Sequence, residues 1–383
     1  MSDVDAALGY SQCFTYKGFT VNVECEEAAH LCWLAEFLAP AFSVGENTQA
    51  DCAVCLTEDD QSFAATQHRG PAGNRRLIEC FILDSQVIRL PLWGSDSAER
   101  VLFDDRFQVF YGIATAGPRV RILTATNNVH ARFALMRVVR EFAMARAWTP
   151  TSLVLHGAAV GLGERGLIIA GPKRAGKTSL LIYCLQAAGV QFIANDRVVV
   201  ELAAPRPVLH GLPTLVTIRD RTLDFFPAVE RVLRRQCYDH RLSLTEVEQA
   251  GGDSAPPRRG HPVDLSPAQF CAVLNVARRG HLPVHAVLFP QVTDDSAGLQ
   301  VHRLTPHAAS LHLTTALFGE SADQLRSQVF TVPSQSPETG PPSVARRCTE
   351  LAERVPCFAC QLGRQAYQPG TALADFVRRV LAG

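Results

Sequence analysis

Apolar and polar residues alternate along residues 14–24 (FTYKGFTVNVE), a period of two that predicts a strand. The stretch AAHLCWLAEFLAPAF (28–42) has helical spacing, and DCAVCLT (51–57) returns to alternation. Two short strands, LIECFIL (77–83) and VIRLPLW (87–93), are parted by the turn signal Asp84-Ser85, and Phe107 to Leu123 supplies two more. A longer helix is predicted from about Asn128 to Ala147. Its apolar positions Phe133, Leu135, Met136, Val139 and Phe142 keep the helical period, with arginines between them. These residues read as an α+β domain without a catalytic signature.

The texture changes at Ser152. Strand-like SLVLHGAAV and GLIIA lead through a Gly-rich loop into a predicted helix KTSLLIYCLQAA that stops at Gly189, a natural helix-ending residue. QFIA and VVVEL read as buried strands, VHAVLFP as a core strand, and VPCFACQL followed by ALADFVRRVLAG as a strand and a terminal helix. Gly251–Pro262 and Pro333–Pro342 have linker composition. The expected division is an N-terminal α+β domain over 1–150, for substrate or partner recognition, and a catalytic domain over 151–383.

Composition narrows the function classes. Of 383 residues, 47% are apolar and 19% charged, enough for a buried core without metal or disulfide support. Lys+Arg 37 balance Asp+Glu 37. That removes the global basic field of a general nucleic-acid binder or a polybasic membrane anchor, so neither nucleic acid nor membrane is an expected partner. The acidic start MSDVDAALGYSQC lacks a basic n-region, and no apolar run reaches the ~18 residues of a membrane span. The expected compartment is the cytoplasm, with the 12 cysteines as reduced thiols. Only three lysines occur, Lys17, Lys173 and Lys177, and the last two share one short stretch.

That stretch, Gly171-Pro172-Lys173-Arg174-Ala175-Gly176-Lys177-Thr178, fits G-x-x-x-x-G-K-[ST] in full. Glycines let backbone N–H groups turn inward around phosphate oxygens, and the helix start adds partial positive charge. The expected nucleotide-binding residues are these eight together with Ser179. Lys177 would reach the β- and γ-phosphates, and the Thr178 hydroxyl would ligate Mg²⁺ beside ATP. No Asn-Lys-x-Asp motif of a GTPase and no LSGGQ motif accompanies the loop, and VHAVLFP ends in proline where an ATPase motor carries an acidic pair.

Over about Leu153 to Pro227 the chain resembles the HPr kinase/phosphorylase family. The residues that carry the likeness are His156-Gly157, 21 residues ahead of Lys177, then the loop, Ala194-Asn195-Asp196, and His210-Gly211-Leu212-Pro213. The resemblance implies an α/β P-loop kinase domain of the HPr kinase/PEP carboxykinase-like type. It puts Asp196 in the place of the catalytic aspartate and Asn195 in that of its neighbour. It further implies transfer of the γ-phosphate of ATP to a serine of a peptide or protein, and leaves room for a homo-oligomer. HPr itself is not the expected acceptor, because the N-terminal half lacks that family's own domain. Phosphoryl transfer independently asks for a carboxylate near the γ-phosphate. On the residues alone, Asp196 reads as general base, as metal ligand with Thr178, or as a turn residue. His156 reads as phosphate-facing or as a core histidine, and His210 as a functional residue or as a turn residue before Gly211. The family's metal-binding glutamate is Val208 here, which leaves Glu201 or Asp220 as substitutes. The fourth loop position, commonly glycine, is Arg174. Alternatives are a regulatory nucleotide-binding module without transfer and a small-molecule kinase. The reverse reaction, phosphorolysis of phosphoserine, also stays open.

Cys52-x-x-Cys55 and Cys357-x-x-Cys360 invite a zinc reading. In strands, however, residues three apart face opposite ways, and neither pair has a knuckle glycine. Arg231–Arg235 and Arg346-Arg347 read as solvated helix faces, with an acidic substrate as the alternative partner of one of them.

Overall fold

A computed structural model of the chain describes residues 9–45, 49–70, 77–83, 86–95, 98–236, 238–249, 261–293, 298–318, 329–330, 341–368 and 372–382. The turn signal Asp84-Ser85, nearly all of the Gly251–Pro262 linker and residues 333–340 lie outside these. The protein is mixed α/β with two large mixed sheets, and the chain divides into two compact units. Among the described residues no helix is long and apolar enough to cross a membrane.

The first unit comprises described residues 9–38, 42–147 and 329–330. Its elements are β1 (Tyr10–Tyr16), β2 (Phe19–Cys25), α1 (Ala28–Leu38), β3 (Ser43–Gly45), β4 (Cys52–Glu58), α2 (Asp60–Arg69), β5 (Leu77–Leu83), β6 (Gln86–Ser95), β7 (Glu99–Asp104), β8 (Val109–Ala114), β9 (Arg119–Thr124) and α3 (Ala131–Ala147). The sheet order is β3-β1-β2-β4-β9-β8-β7-β6-β5. Among the described residues of this sheet, only β2–β4 and β4–β9 pair in parallel; α1 and β3 lie between the first pair in sequence, and α2 with β5–β8 between the second. Trp33 of α1 meets Phe133 of α3 edge-on at 5.5 Å over this sheet.

α3 begins three residues later than its periodicity predicts. The Asn128 side chain donates to the Phe107 carbonyl and accepts from the His130 N–H, and so holds a turn before the helix. Two of its arginines do not face solvent. Arg137 is buried on Asp104 (3.1 Å) and Glu141 (2.8 Å), and Arg132 is buried beside His30. Buried charge is tolerated there because it is paired.

The second unit comprises described residues 39–41, 148–318 and 341–382. It contains β10 (Ser152–Leu162), β11 (Arg165–Ala170), α4 (Lys177–Leu185), β12 (Gln191–Ala194), β13 (Arg197–Glu201), β14 (Val208–Gly211), β15 (Val216–Ile218), α5 (Asp220–Leu223), α6 (Pro227–Arg235), α7 (Leu244–Gln249), β16 (Val263–Leu265), α8 (Pro267–Leu274), β17 (His281–Val292), β18 (Leu299–Arg303), α9 (Pro306–Thr315), α10 (Pro341–Arg354), β19 (Cys357–Leu362), a 3-10 turn (Arg364–Tyr367) and α11 (Ala372–Ala382). The main sheet runs β11-β10-β13-β14-β17-β19-β18, and β11 also pairs with β17. The path β11-β10-β13-β14-β17 therefore closes on itself. β10 and β17 make this possible because each is long enough to change partners midway.

β11 shows why GLIIA is apolar throughout. Leu167 and Ile169 enter the cluster containing α4 and α8, while Ile168 and Ala170 enter the cluster beneath α9 and α10. A strand covered on both faces loses its alternation. β17 runs past Pro290 to Val292. Its pairing with β11 stops at Leu288, so the missing proline N–H falls beyond that ladder.

Three expectations need correcting. α4 ends at Leu185, because the Gln186 N–H turns back tightly to the Tyr183 carbonyl, and Gly189 closes the following turn with φ 78°. The end of the second predicted linker, Pro341-Pro342, opens α10, where proline suits a helix's first turn. Arg347 is buried and donates to the Thr149 carbonyl (3.1 Å) and the Ser152 carbonyl, while Arg346 stays exposed.

Candidate functional site

β11 delivers the chain into the loop 171–176, and α4 starts at once after Gly176. Gly176 has φ 95° and offers no side-chain cap to the start of α4. Arg174 also adopts the left-handed region, at φ 70°, a costly place for a residue with a Cβ. Pro172, Lys173 and Arg174 are exposed, and Ala175, Thr178 and Ser179 half-buried. Lys177 is buried and its Nζ donates to the carbonyls of Gly171 and Pro172, both at 2.8 Å. The lysine is thus bent back across the loop it belongs to.

Three of the expected residues come together at the end of this loop. β10 changes partner at His156-Gly157. Residues 152–156 pair with β13, and residues 157–162 pair with β11. Asn195-Asp196 form the bend between β12 and β13 at that level, and the Gly157 N–H donates to the Asp196 carbonyl at 3.0 Å. A Cβ on Gly157 would stand 3.0 Å from the Ile169 carbonyl, so glycine lets β10 lie close to the strand that feeds the loop. His156 Nε2–H donates to Asp196 Oδ1 at 3.1 Å.

Burial would raise the Asp196 carboxyl, but the His156 hydrogen bond and the charges of Arg197, His156 and Lys177 outweigh it and hold the group at about 2. The carboxylate is therefore ionised at neutral pH and lies within the field of the loop lysine. Its side chain keeps 27% exposure, which leaves it a solvent-facing side.

Arg197 was not legible as a site residue. Its Nε lies 3.8 Å from Asp196 Oδ2, and its guanidinium sits over the Phe318 ring at 4.1 Å. The one signal available was a charged residue at the head of a buried strand, VVVEL, where it needs a partner. The Asn195 amide donates to the Leu215 carbonyl (2.9 Å) and accepts from Thr214 Oγ1 (3.0 Å). It braces the bend and holds the loop after His210-Gly211-Leu212-Pro213.

The remaining candidates separate. His210 lies on β14 and stacks on His281 at 5.5 Å. Glu201 is at the far end of β13 from Asp196 and accepts from Thr151 at 2.9 Å. Asp220 opens α5, whose Thr222 Oγ1 lies 3.4 Å from Ser179 Oγ, so of the two it stands on the loop's side. Cys357 and Cys360 belong to different core clusters on opposite faces of β19 and cannot share one ion. Burial pushes both thiols up to about 12.

Sequence reasoning missed a grouping in the first unit. Among the described residues, Glu27, His30 and Glu58 bring ligand-type atoms within 4.8 Å of one another. His30 Nε2 is 2.9 Å from Glu58, and the Arg132 Nε–H points at His30 Nδ1 from 3.4 Å. Arg132, His30 and Glu58 thus form a buried relay linking α3, α1 and β4, its polar atoms turned on one another.

Thr178 and Asp196 offer a hydroxyl and a carboxylate, hard oxygen donors of the kind Mg²⁺ prefers. No protein-family model matches the chain, and no curated protein matches it.

Proposed function

We propose that the protein is a phosphotransferase built on a P-loop kinase domain of the HPr kinase/PEP carboxykinase-like type. More particularly, it would move the γ-phosphate of ATP to a serine hydroxyl of a peptide or protein. The observation that carries this reading is the joint position of Lys177 and Asp196: a carboxylate held ionised by His156 and Arg197 within the field of the loop lysine.

In this reading the loop N–H groups hold the phosphates, and Lys177 exchanges the Gly171 and Pro172 carbonyls for phosphate oxygens. Thr178 and Asp196 would hold Mg²⁺, which supplies charge neutralisation at the transferring phosphoryl group. A carboxyl group at about 2 is a weak proton acceptor. Phosphoryl transfer has a loose transition state and asks more for positioning than for early proton removal. Asp196 therefore aligns the acceptor hydroxyl and takes its proton late. The 1–150 region would select the acceptor, and the protein would work in the cytoplasm.

The test is transfer from γ-labelled ATP, with Mg²⁺, to serine peptides and to cell extract. Wild type labels a serine, and Lys177→Met lowers labelling by about 100-fold or more. Equal labelling by Lys177→Met, or no nucleoside triphosphate binding by wild type in calorimetry, refutes the kinase reading. The low position of the Asp196 carboxyl and the structural use of Asn195 favour one second reading, a regulatory nucleotide-binding module. ATP binding without any labelled acceptor selects it.

A further inference from the structure

Where the rest of the nucleotide goes follows from the strand order, given the proposed function. Asp196 and His156 reach the loop from the β10 side of β11. On the other side of β11 stands β17, with β19 beyond it, and all three run parallel. Their carboxyl ends at Ala170, Val292 and Leu362 therefore share one edge, where open α/β sheets bind ligands. A triphosphate is a linear chain. With its γ end turned to Asp196, the nucleoside leaves the loop towards β17 and β19.

The side chains at that exit are apolar. Val292, the last residue of β17, is 46% exposed. It touches the loop itself, because a Cβ on Gly176 would stand 2.5 Å from Val292 Cγ2 and 3.6 Å from Tyr367 Oη. Tyr367 comes from the 3-10 turn that follows β19 and is buried. Its ring centroid lies 5.0 Å from that of half-buried Phe225. Phe225 follows α5, the helix whose Thr222 lies beside Ser179. Val292 and Phe225 thus present an apolar shelf backed by Tyr367, continuous with Gly176 and Ser179 of the binding loop.

We propose that the nucleobase of the bound nucleoside triphosphate packs on this shelf of Val292 and Phe225. Burial of a flat aromatic ring against apolar side chains, at the exit opposite Asp196, is the interaction it supplies.

Calorimetry of the full chain with ATP and with inorganic tripolyphosphate, both with Mg²⁺, tests this. Wild type is expected to bind ATP about tenfold more tightly than tripolyphosphate. Val292→Ser and Phe225→Ala each weaken ATP about fivefold while leaving tripolyphosphate within about twofold. Val292 is exposed, so its variant does not threaten the fold. Equal wild-type affinity for the two ligands, or variants that weaken both alike, overturns the shelf and spares the loop. Wild type binding neither ligand overturns the loop reading and the shelf with it.

Discussion

Replacing Asp196 by Asn keeps the shape of the side chain and removes its charge. The Asn Oδ1 can still accept from His156, so the His156 contact survives while the attraction to Arg197 and Lys177 is lost. The carboxyl group falls from 3.8 to about 2 on folding. At ~1.4 kcal/mol per pH unit, that lowering stabilises the native state by about 2 kcal/mol at neutral pH. The sign follows from the depressed value. The contribution is complete above the unfolded value of 3.8, about half gone near pH 3, and absent below the folded value of about 2. For a unit of ~200 residues this corresponds to a melting temperature lower by about 4–8 °C in Asp196→Asn. The assay is thermal melting of the ligand-free protein, wild type against variant, from pH 7 down to the most acid pH at which both stay folded. The gap should be widest at neutral pH and narrow below pH 4. A variant that melts at or above wild type at pH 7, or a gap that does not narrow in acid, refutes the placing of the Arg197 and Lys177 charges around Asp196. In the labelling assay, the same variant should bind ATP and transfer no phosphate.

Two further outcomes probe the loop and the bend. Asn195→Asp places a second carboxylate beside Asp196 but turns an acceptor towards the Leu215 carbonyl, to which Asn195 now donates. It should cost about 1–3 kcal/mol in urea unfolding, and an unchanged midpoint would show that the amide does not brace the bend. Arg174→Gly relieves a left-handed residue at φ 70°, so the melting temperature should rise by the equivalent of about 1 kcal/mol. A fall instead would mean that the arginine side chain contributes more to the native loop than its backbone conformation costs.

The loop 171–178 was readable in eight consecutive residues because its interactions are local. The left-handed Gly176, the helix start and the bonds from Lys177 to Gly171 and Pro172 all lie within one short segment. Strands and helices with a clean period were legible for the same reason, and so was the apolar run of β11. The family resemblance brought His156 and Asp196 forward as candidates. Their contact depends on β10 changing partners at Gly157, a property of the closed strand path and not of either segment.

What the sequence could not decide is which charges are buried and with whom. Arg132, Arg137 and Arg347 sit where helical periodicity leaves polar positions, yet a distant helix, strand and loop supply His30, Asp104 and the Thr149 carbonyl to meet them. Arg197, Phe318, Val292 and Tyr367 join the loop's surroundings only through sheet order. Backbone conformation follows from neighbours along the chain, whereas desolvation and charge pairing follow from segments that are remote in sequence and adjacent only after folding.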